Sequence, residues 1–122
     1  MSMTEEIVDA YMAAWTEPDE TARRRLLERA WSDDGRYVDP MADVSGRAAL
    51  VAQITAFHLQ MPGVRLSRTS AVDEHHGRVR FTWAMHTADG ALGMEGVDFC
   101  ELAADGRLHA VTGFFGAPPV RG

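Results

Sequence analysis

The first sixty residues carry apolar side chains at the spacing of amphipathic helices. Between residues 7 and 15, apolar positions recur three, four and seven residues apart, which places them on one face of a helix. These positions are Ile7, Val8, Tyr11, Met12 and Trp15. Similar patterns predict a second helix over roughly 19–31 and a third over about 47–60, which ends before Pro62 and Gly63.

From residue 64 onward the period changes to two, which is typical of strands with one buried face. The predicted strands are one that begins at Val64, then 78–86, 91–102 and 107–115, with a short one at 36–39 that follows a turn at 32–35. The connections at Asp89-Gly90 and 104–106 are typical of hairpins. These elements predict an α+β fold, in which a curved antiparallel sheet and the helices across its concave side would enclose a pocket.

Composition limits the chemistry that the chain can perform. Its 122 residues predict one domain, 1–122, with an ordered part at about 4–116. All twelve basic residues are arginine, so lysine-dependent Schiff-base, pyridoxal-phosphate and P-loop chemistry is excluded. Cys100 is the sole cysteine, which excludes an internal disulfide and multi-cysteine metal sites. A metal site made by His86, His109 and an aspartate lacks ligand spacing, so we expect neither a metal nor another cofactor.

The charge distribution limits the partners. A net charge of −6 without a basic run argues against nucleic acid and against anionic membrane surfaces. We interpret Arg23, Arg24 and Arg25 as the solvated face of the second helix. Residues 1–16 carry no basic leader segment, and no apolar run reaches the ~18 residues of a membrane span. We therefore expect a soluble cytoplasmic protein.

Three polar residues occupy positions that could serve a site. Tyr11 lies within the apolar stripe of the first helix, where a core tyrosine is the plainer interpretation. Asp39 ends a strand before a proline and can reach a pocket mouth, although Asp-Pro is also a common turn. Asp98 is the one charged residue on the more apolar, even-numbered face of 92–102. Full burial raises a carboxyl pKa by ~3–5 units, so a buried Asp98 would be a protonated hydrogen-bond donor or a structural acid paired with backbone or arginine. If the even-numbered face instead points to water, Asp98 is an ordinary surface acid.

Three stretches together resemble the NTF2-like superfamily, in particular its SnoaL-like and ketosteroid-isomerase-like members. The most specific stretch is AWSDDGRYVDP at 30–40, followed by SGR at 45–47, which is similar to the family's aromatic-x-Asp-Asp…Asp-Pro…Gly signature. The second is EGVDF at 95–99, which is similar to the strand that carries the acid of the isomerases. The third is Tyr11 in the first helix. The resemblance runs from about residue 5 to residue 116.

The resemblance implies a cone of three N-terminal helices on the curved sheet, with a pocket inside. It implies that Asp39 is a general base and that Tyr11 and protonated Asp98 form an oxyanion hole. The side chains expected to surround the substrate are Trp15, Phe57, Trp83, Met85 and Phe115. The implied ligand is a small hydrophobic carbonyl compound, the implied activity is an acid/base isomerisation, and the implied assembly is a homodimer packed through the sheet.

Departures from the family pattern leave alternatives open. Ile54 stands where a supporting tyrosine would be sought, and Trp83 would narrow the pocket, which puts a steroid substrate in doubt. A polyketide-cyclase-like enzyme needs only one acid/base carboxylate, and other members bind ligands without catalysis. An epoxide-hydrolysing site needs an arginine between two aspartates, whereas Arg80 lies on the polar face of its strand.

Overall fold

Helices and one sheet form the two layers of the fold. The computed structural model describes residues 2–122, and within them it contains three helices and seven strands. The helices are α1 (Met3–Thr16), α2 (Glu20–Ala30) and α3 (Arg47–Gln60). The strands are β1 (Trp31–Asp39), β2 (Ala42–Ser45), β3 (Arg65–Arg68), β4 (Asp73–His75), β5 (Arg78–His86), β6 (Leu92–Leu102) and β7 (Leu108–Phe115). The α+β class predicted from the sequence is confirmed.

The strands form one curved, open sheet in the order β2–β1–β7–β6–β5–β3, with β4 paired to β5. Every pair is antiparallel except β1 and β7, which run parallel. The expected antiparallel sheet is therefore wrong at this one pair. A parallel pair needs a long crossover, and the chain between β1 and β7 supplies one because it contains α3 and five other strands.

Strand β1 starts earlier than the sequence pattern predicts. Its pairing advances from Trp31 to Arg36, while β7 advances only from Leu108 to Ala110. The residues predicted to form a free turn are thus an irregularity inside β1, where extra residues bulge out of the pairing. Because α2 already ends at Ala30, the helix and the strand follow each other directly.

Local sequence signals set the start of each helix. The Ser2 side chain accepts a hydrogen bond from the backbone N–H of Glu5, at 3.1 Å, and Asp19 caps α2 in the same way at Ala22, at 2.9 Å. Gly46 precedes α3 with a φ of 92°, a left-handed conformation that favours glycine.

Arg23 does not belong to a solvated arginine face. Its side chain is only 2% exposed, and its guanidinium donates to the backbone oxygens of Glu17 and Pro18 and to the hydroxyl of Thr55. The expectation that all three arginines are solvated is therefore wrong at Arg23, because its side chain links the α1–α2 connection to α3 by hydrogen bonds. Arg24 and Arg25 are exposed as expected.

The buried faces of the helices and the inner face of the sheet share one apolar core. Within residues 2–122, none of the helices has both the length and the apolar character that a membrane crossing requires.

Candidate active site in the cavity beneath the helices

A cavity of about 410 Å³ lies between helices α1 and α3 and the inner face of the sheet. Its lining consists of Tyr11, Met12, Trp15, Tyr37, Asp39, Met41, Gln53, Ala56, Phe57, Gln60, Met61, Leu66, Trp83, Met85, Met94, Asp98 and Phe115. All eight site residues chosen from the sequence are among them. A larger depression of about 640 Å³ lies on the outer side, around Arg78 and Phe99, and it contains none of the eight. The inner cavity is the candidate site because it brings the candidate groups together.

Strand order brings the two carboxyl groups close to one another. Asp98 on β6 is paired with Gly113 on β7, and β7 is flanked on its other side by β1, which carries Asp39. A Cβ at position 113 would lie 3.0 Å from Oδ1 of Asp98 and 3.5 Å from Cβ of Asp39. Gly113 therefore leaves open the space between the two acids, and sequence reasoning did not identify it.

Asp98 is a buried acid without an arginine partner. Its side chain is 5% exposed, and the even-numbered face of β6 points inward as the alternation predicts. Among residues 2–122, its one side-chain hydrogen bond comes from Nε1 of Trp83, at 3.1 Å from Oδ1. Burial raises the pKa of Asp98 to about 7, the Trp83 hydrogen bond opposes this rise, and the charge of Asp39 adds to it. Near neutral pH, Asp98 is therefore partly protonated and can donate a hydrogen bond.

Tyr11 supplies a hydroxyl with no partner in the protein. It is 1% exposed and makes no hydrogen bond with any other group of residues 2–122. Burial, followed by the charge of Asp98, raises the pKa of Tyr11 well above 10. A buried donor without an acceptor costs about 1–3 kcal/mol. The Tyr11 ring lines the cavity, and its covered hydroxyl gains an acceptor when a ligand oxygen reaches it.

Asp39 is held by two donors at the end of β1. Its Oδ1 accepts from the backbone N–H of Met41, at 2.7 Å, and its Oδ2 accepts from the hydroxyl of Tyr37. Burial and Asp39 itself raise the pKa of Tyr37, which keeps the phenol protonated and able to donate. An ionised carboxylate accepts hydrogen bonds at both oxygens, so these contacts suit a fixed, charged Asp39.

Tyr37 was not chosen from the sequence. It stands two residues before Asp39, which places the two side chains on the same face of β1. The i, i+2 spacing was the available signal.

The rest of the wall is aromatic and thioether-rich. Trp15 packs against Tyr37 and Phe57, with ring centroids 5.3 Å and 5.6 Å apart, and Trp83 meets Phe115 edge-on at 5.9 Å. Five methionines complete the wall, namely Met12, Met41, Met61, Met85 and Met94. Methionine side chains adapt their shape to a partner, so the wall suits an apolar ligand of irregular outline.

Burial varies along the inner face of β6, where Asp98, Gly96 and Met94 alternate. Asp98 is buried and Met94 is half-buried, and the four residue steps between them span roughly 13 Å. Of these two lining residues, the acid is the more deeply enclosed.

Other chemistries find little support in the side chains present. No cluster of three or more His, Cys, Asp or Glu residues that could hold a metal ion occurs between Ser2 and Gly122. Arg80 pairs with Asp73 at 2.8 Å on the surface, and the cavity lining described above includes no arginine, so an epoxide-hydrolysing arrangement lacks its cation. Cys100 is buried, and burial raises the pKa of its thiol, which makes it a poor nucleophile.

Comparison with known proteins places this architecture in a family. The sequence profile of the SnoaL-like domain matches residues 8–111. A protein from Agrobacterium tumefaciens str. C58, provisionally described as an isomerase of the SnoaL-like family, is 34% identical over 96% of this chain and 100% of its own, with a TM-score of 0.89. No curated protein matches the chain.

Two more distant structures show the fold alone. An NTF2-like protein of unknown function from Exiguobacterium sp. 255-15 is 19% identical over 92% of this chain and 99% of its own, with a TM-score of 0.74. A protein from Sinorhizobium meliloti, provisionally described as a polyketide cyclase, is 15% identical over 88% and 92%, with a TM-score of 0.69. The profile match and the Agrobacterium protein together show that this chain belongs to the SnoaL-like family, and the NTF2-like protein shares its fold.

Proposed function

We propose that this protein is an acid/base isomerase that moves a proton between two carbons of a small hydrophobic carbonyl compound. The observation that carries the proposal is the meeting of three groups in one apolar cavity. Asp39 is a carboxylate held by two donors, Asp98 has a pKa raised to about 7, and Tyr11 has an unused hydroxyl. A base and two donors around one cavity are what enolisation requires.

The proton transfer follows from these positions. Asp39 removes a proton from the carbon next to the carbonyl. The electron pair of the broken C–H bond forms a carbon–carbon double bond, and the π pair of the carbonyl moves onto its oxygen. Tyr11 and protonated Asp98 donate hydrogen bonds to the oxyanion that forms, which lowers the energy of the intermediate. Asp39 then returns the proton to the far carbon of the dienolate, so the product has a shifted double bond and the enzyme is unchanged.

Asp39 and Asp98 have different roles in this reaction because their surroundings differ. Asp39 is half-buried and is stabilised by two hydrogen bonds, whereas Asp98 is almost fully buried and has one. Repulsion between two nearby negative charges also favours a state in which only one is ionised. The ionised acid is the base, and the neutral acid is the donor.

Ring closure of a polyketide is the second candidate reaction. It would use the same carboxylate to remove an α-proton, after which the carbanion attacks a second carbonyl instead of being reprotonated. The five methionines of the wall favour this candidate, because a flexible wall accepts a chain that must fold on itself.

The test is the conversion of a 3-oxo-Δ5-steroid to its conjugated Δ4 isomer, followed by ultraviolet absorbance. Asp39→Asn should lower the rate by at least ~100-fold, since it removes the base. Asp73→Asn removes an equal charge from an exposed residue on the outer side, and it should retain the parent rate. A parent protein that binds the steroid without converting it would favour the cyclase reaction or a non-catalytic binding role.

A further inference from the structure

We propose that Trp83 is a positioning residue: its indole N–H holds Oδ1 of Asp98, so that the acid presents Oδ2, with its proton, to the cavity. The catalytic meaning of this contact rests on the proposed function. The contact itself can be measured without any reaction, so the two proposals can fail separately.

The register of β5 and β6 makes the contact possible. Trp83 is paired with Gly96, while Asp98 is paired with Phe81, so Trp83 and Asp98 are diagonal neighbours on the same face. Diagonal neighbours in a sheet lie ~7–8 Å apart, a gap that a long aromatic side chain can bridge. The indole leans along the sheet and places Nε1 at 3.1 Å from Oδ1.

Gly96 provides the seat on which the indole lies. A Cβ at position 96 would be 2.2 Å from Cζ2 of Trp83 and 2.5 Å from the backbone oxygen of Phe114. Phe115 meets the same indole edge-on, with ring planes at 87°. The ring is thus held between a glycine and a phenylalanine, and its N–H has a fixed direction.

The chemistry of the two partners then decides where the proton of Asp98 resides. An indole N–H can only donate, so Oδ1 must accept in either protonation state of the acid. The carbonyl oxygen of a carboxylic acid is its better acceptor, which leaves the hydroxyl on Oδ2. No group of residues 2–122 donates a hydrogen bond to Oδ2. This oxygen stays accessible to solvent, and because Asp98 lines the cavity, Oδ2 is accessible from there.

The protonation change of Asp98 can be told apart from those of the groups that surround it. Tyr11 on α1, Tyr37 on β1 and Cys100 on β6 all have raised pKa values and stay neutral near pH 7. Asp39 on β1 is the remaining charged neighbour. A change felt at the Trp83 indole near neutral pH is therefore assigned to Asp98.

The experiment follows the indole ¹H–¹⁵N signals of the whole protein from about pH 5 to about pH 9, a range that brackets the raised pKa of Asp98. The Trp83 signal is identified by its loss in Trp83→Phe. We expect it to titrate with a midpoint near 7, the pKa of Asp98. Asp98→Asn is the matched control: its amide oxygen still accepts from the indole but cannot titrate, so the signal should stay constant.

A binding measurement provides a second readout. The probe is 2-adamantanone, an apolar ketone that only accepts hydrogen bonds and cannot form an enolate, so it is never turned over. Its affinity should fall as Asp98 loses its proton. In Trp83→Phe this fall should move up by about one pH unit or more, because the ionised acid has lost a charge-assisted hydrogen bond.

The results that overturn the proposal are specific. A Trp83 signal that does not move with pH, or that moves equally in Asp98→Asn, would show that the indole is only part of the wall. If Trp83→Phe fails to fold, the Trp83 signal is identified by elimination, because Trp15→Phe and Trp31→Phe assign the other two indoles. The spectra of the parent and of Asp98→Asn then decide the matter. A titrating Trp83 in a protein with no isomerase activity would support the positioning role and contradict the proposed function alone.

Discussion

At the scale of single residues, the site depends on where each carboxyl group stands relative to water. Asp98 could be identified from the sequence because one charge interrupts an apolar face, and its burial on β6 follows from the period of two. The contact between Trp83 and Asp98 could not be predicted, because it depends on the register of β5 and β6. A shift of one residue would have turned one of the two side chains to the other face of the sheet.

The first prediction concerns stability and pH. The pKa of Asp98 is raised from 3.8 to about 7, so the folded protein keeps a proton that the unfolded chain releases above about pH 4. The free energy of unfolding, relative to that of Asp98→Asn, should therefore fall as pH rises from about 4 to about 7 and level off above this range. The total fall should be on the order of 2–4 kcal/mol.

Urea denaturation of both proteins at several pH values measures this difference. Subtraction of the variant removes the contribution of groups common to both. A difference that stays constant across the range would mean that Asp98 is already ionised in the folded protein.

At the scale of elements, periodicity predicted the three helices, and the hairpins of the second half of the chain follow the predicted turns. The parallel pairing of β1 with β7 lay beyond such reasoning, because nothing local to either strand records a partner so distant in sequence. Arg23 shows the same limit: a charged residue in a run of arginines looks solvated unless the loop that receives its hydrogen bonds is known.

The second prediction tests the packing of the Trp83 indole against Gly96 on β6. Gly96→Ala should destabilise the protein by about 1–3 kcal/mol or more, because its Cβ would overlap Trp83 and a backbone oxygen that cannot move away. Gly93→Ala on the same strand is the matched control. Its Cβ would come closest to the mobile methyl group of Met85, at 2.9 Å, which can rotate aside.

Chemical denaturation with urea compares the two variants with the parent. Equal stability of both would contradict the tight packing of Trp83 on Gly96. Gly96→Ala should also displace the Trp83 indole signal, whereas Gly93→Ala should leave it in place.

At the scale of the whole molecule, the cavity forms because the curved sheet and the helices do not close completely upon each other. Residues from two helices and five strands meet there, although they are far apart in sequence. The identity of the wall residues could be predicted in part from the family resemblance. The open space beside Gly113 could not be predicted, because a glycine in a strand does not indicate which residues lie opposite it.

The third prediction concerns assembly. We propose that the protein forms a homodimer through the outer face of the sheet, where Phe99 and Phe114 stack edge-on at 6.1 Å and remain 44% and 54% exposed. Sedimentation should give a dimer for the parent and a monomer for Phe114→Glu. Leu59→Glu, which changes an exposed apolar residue on α3, should remain dimeric. A monomeric parent at micromolar concentration would contradict the proposal.

The central claim is that Asp39 transfers a proton while Tyr11 and Asp98 stabilise the oxyanion. Its most direct measurement is deuterium incorporation, by mass spectrometry, into an enolisable apolar ketone such as 2-tetralone in D₂O. The parent should accelerate exchange at the carbons next to the carbonyl, and Asp39→Asn should lower this acceleration by at least ~100-fold. A parent that binds the ketone without accelerating exchange, or an Asp39→Asn variant that exchanges as fast as the parent, would contradict the account.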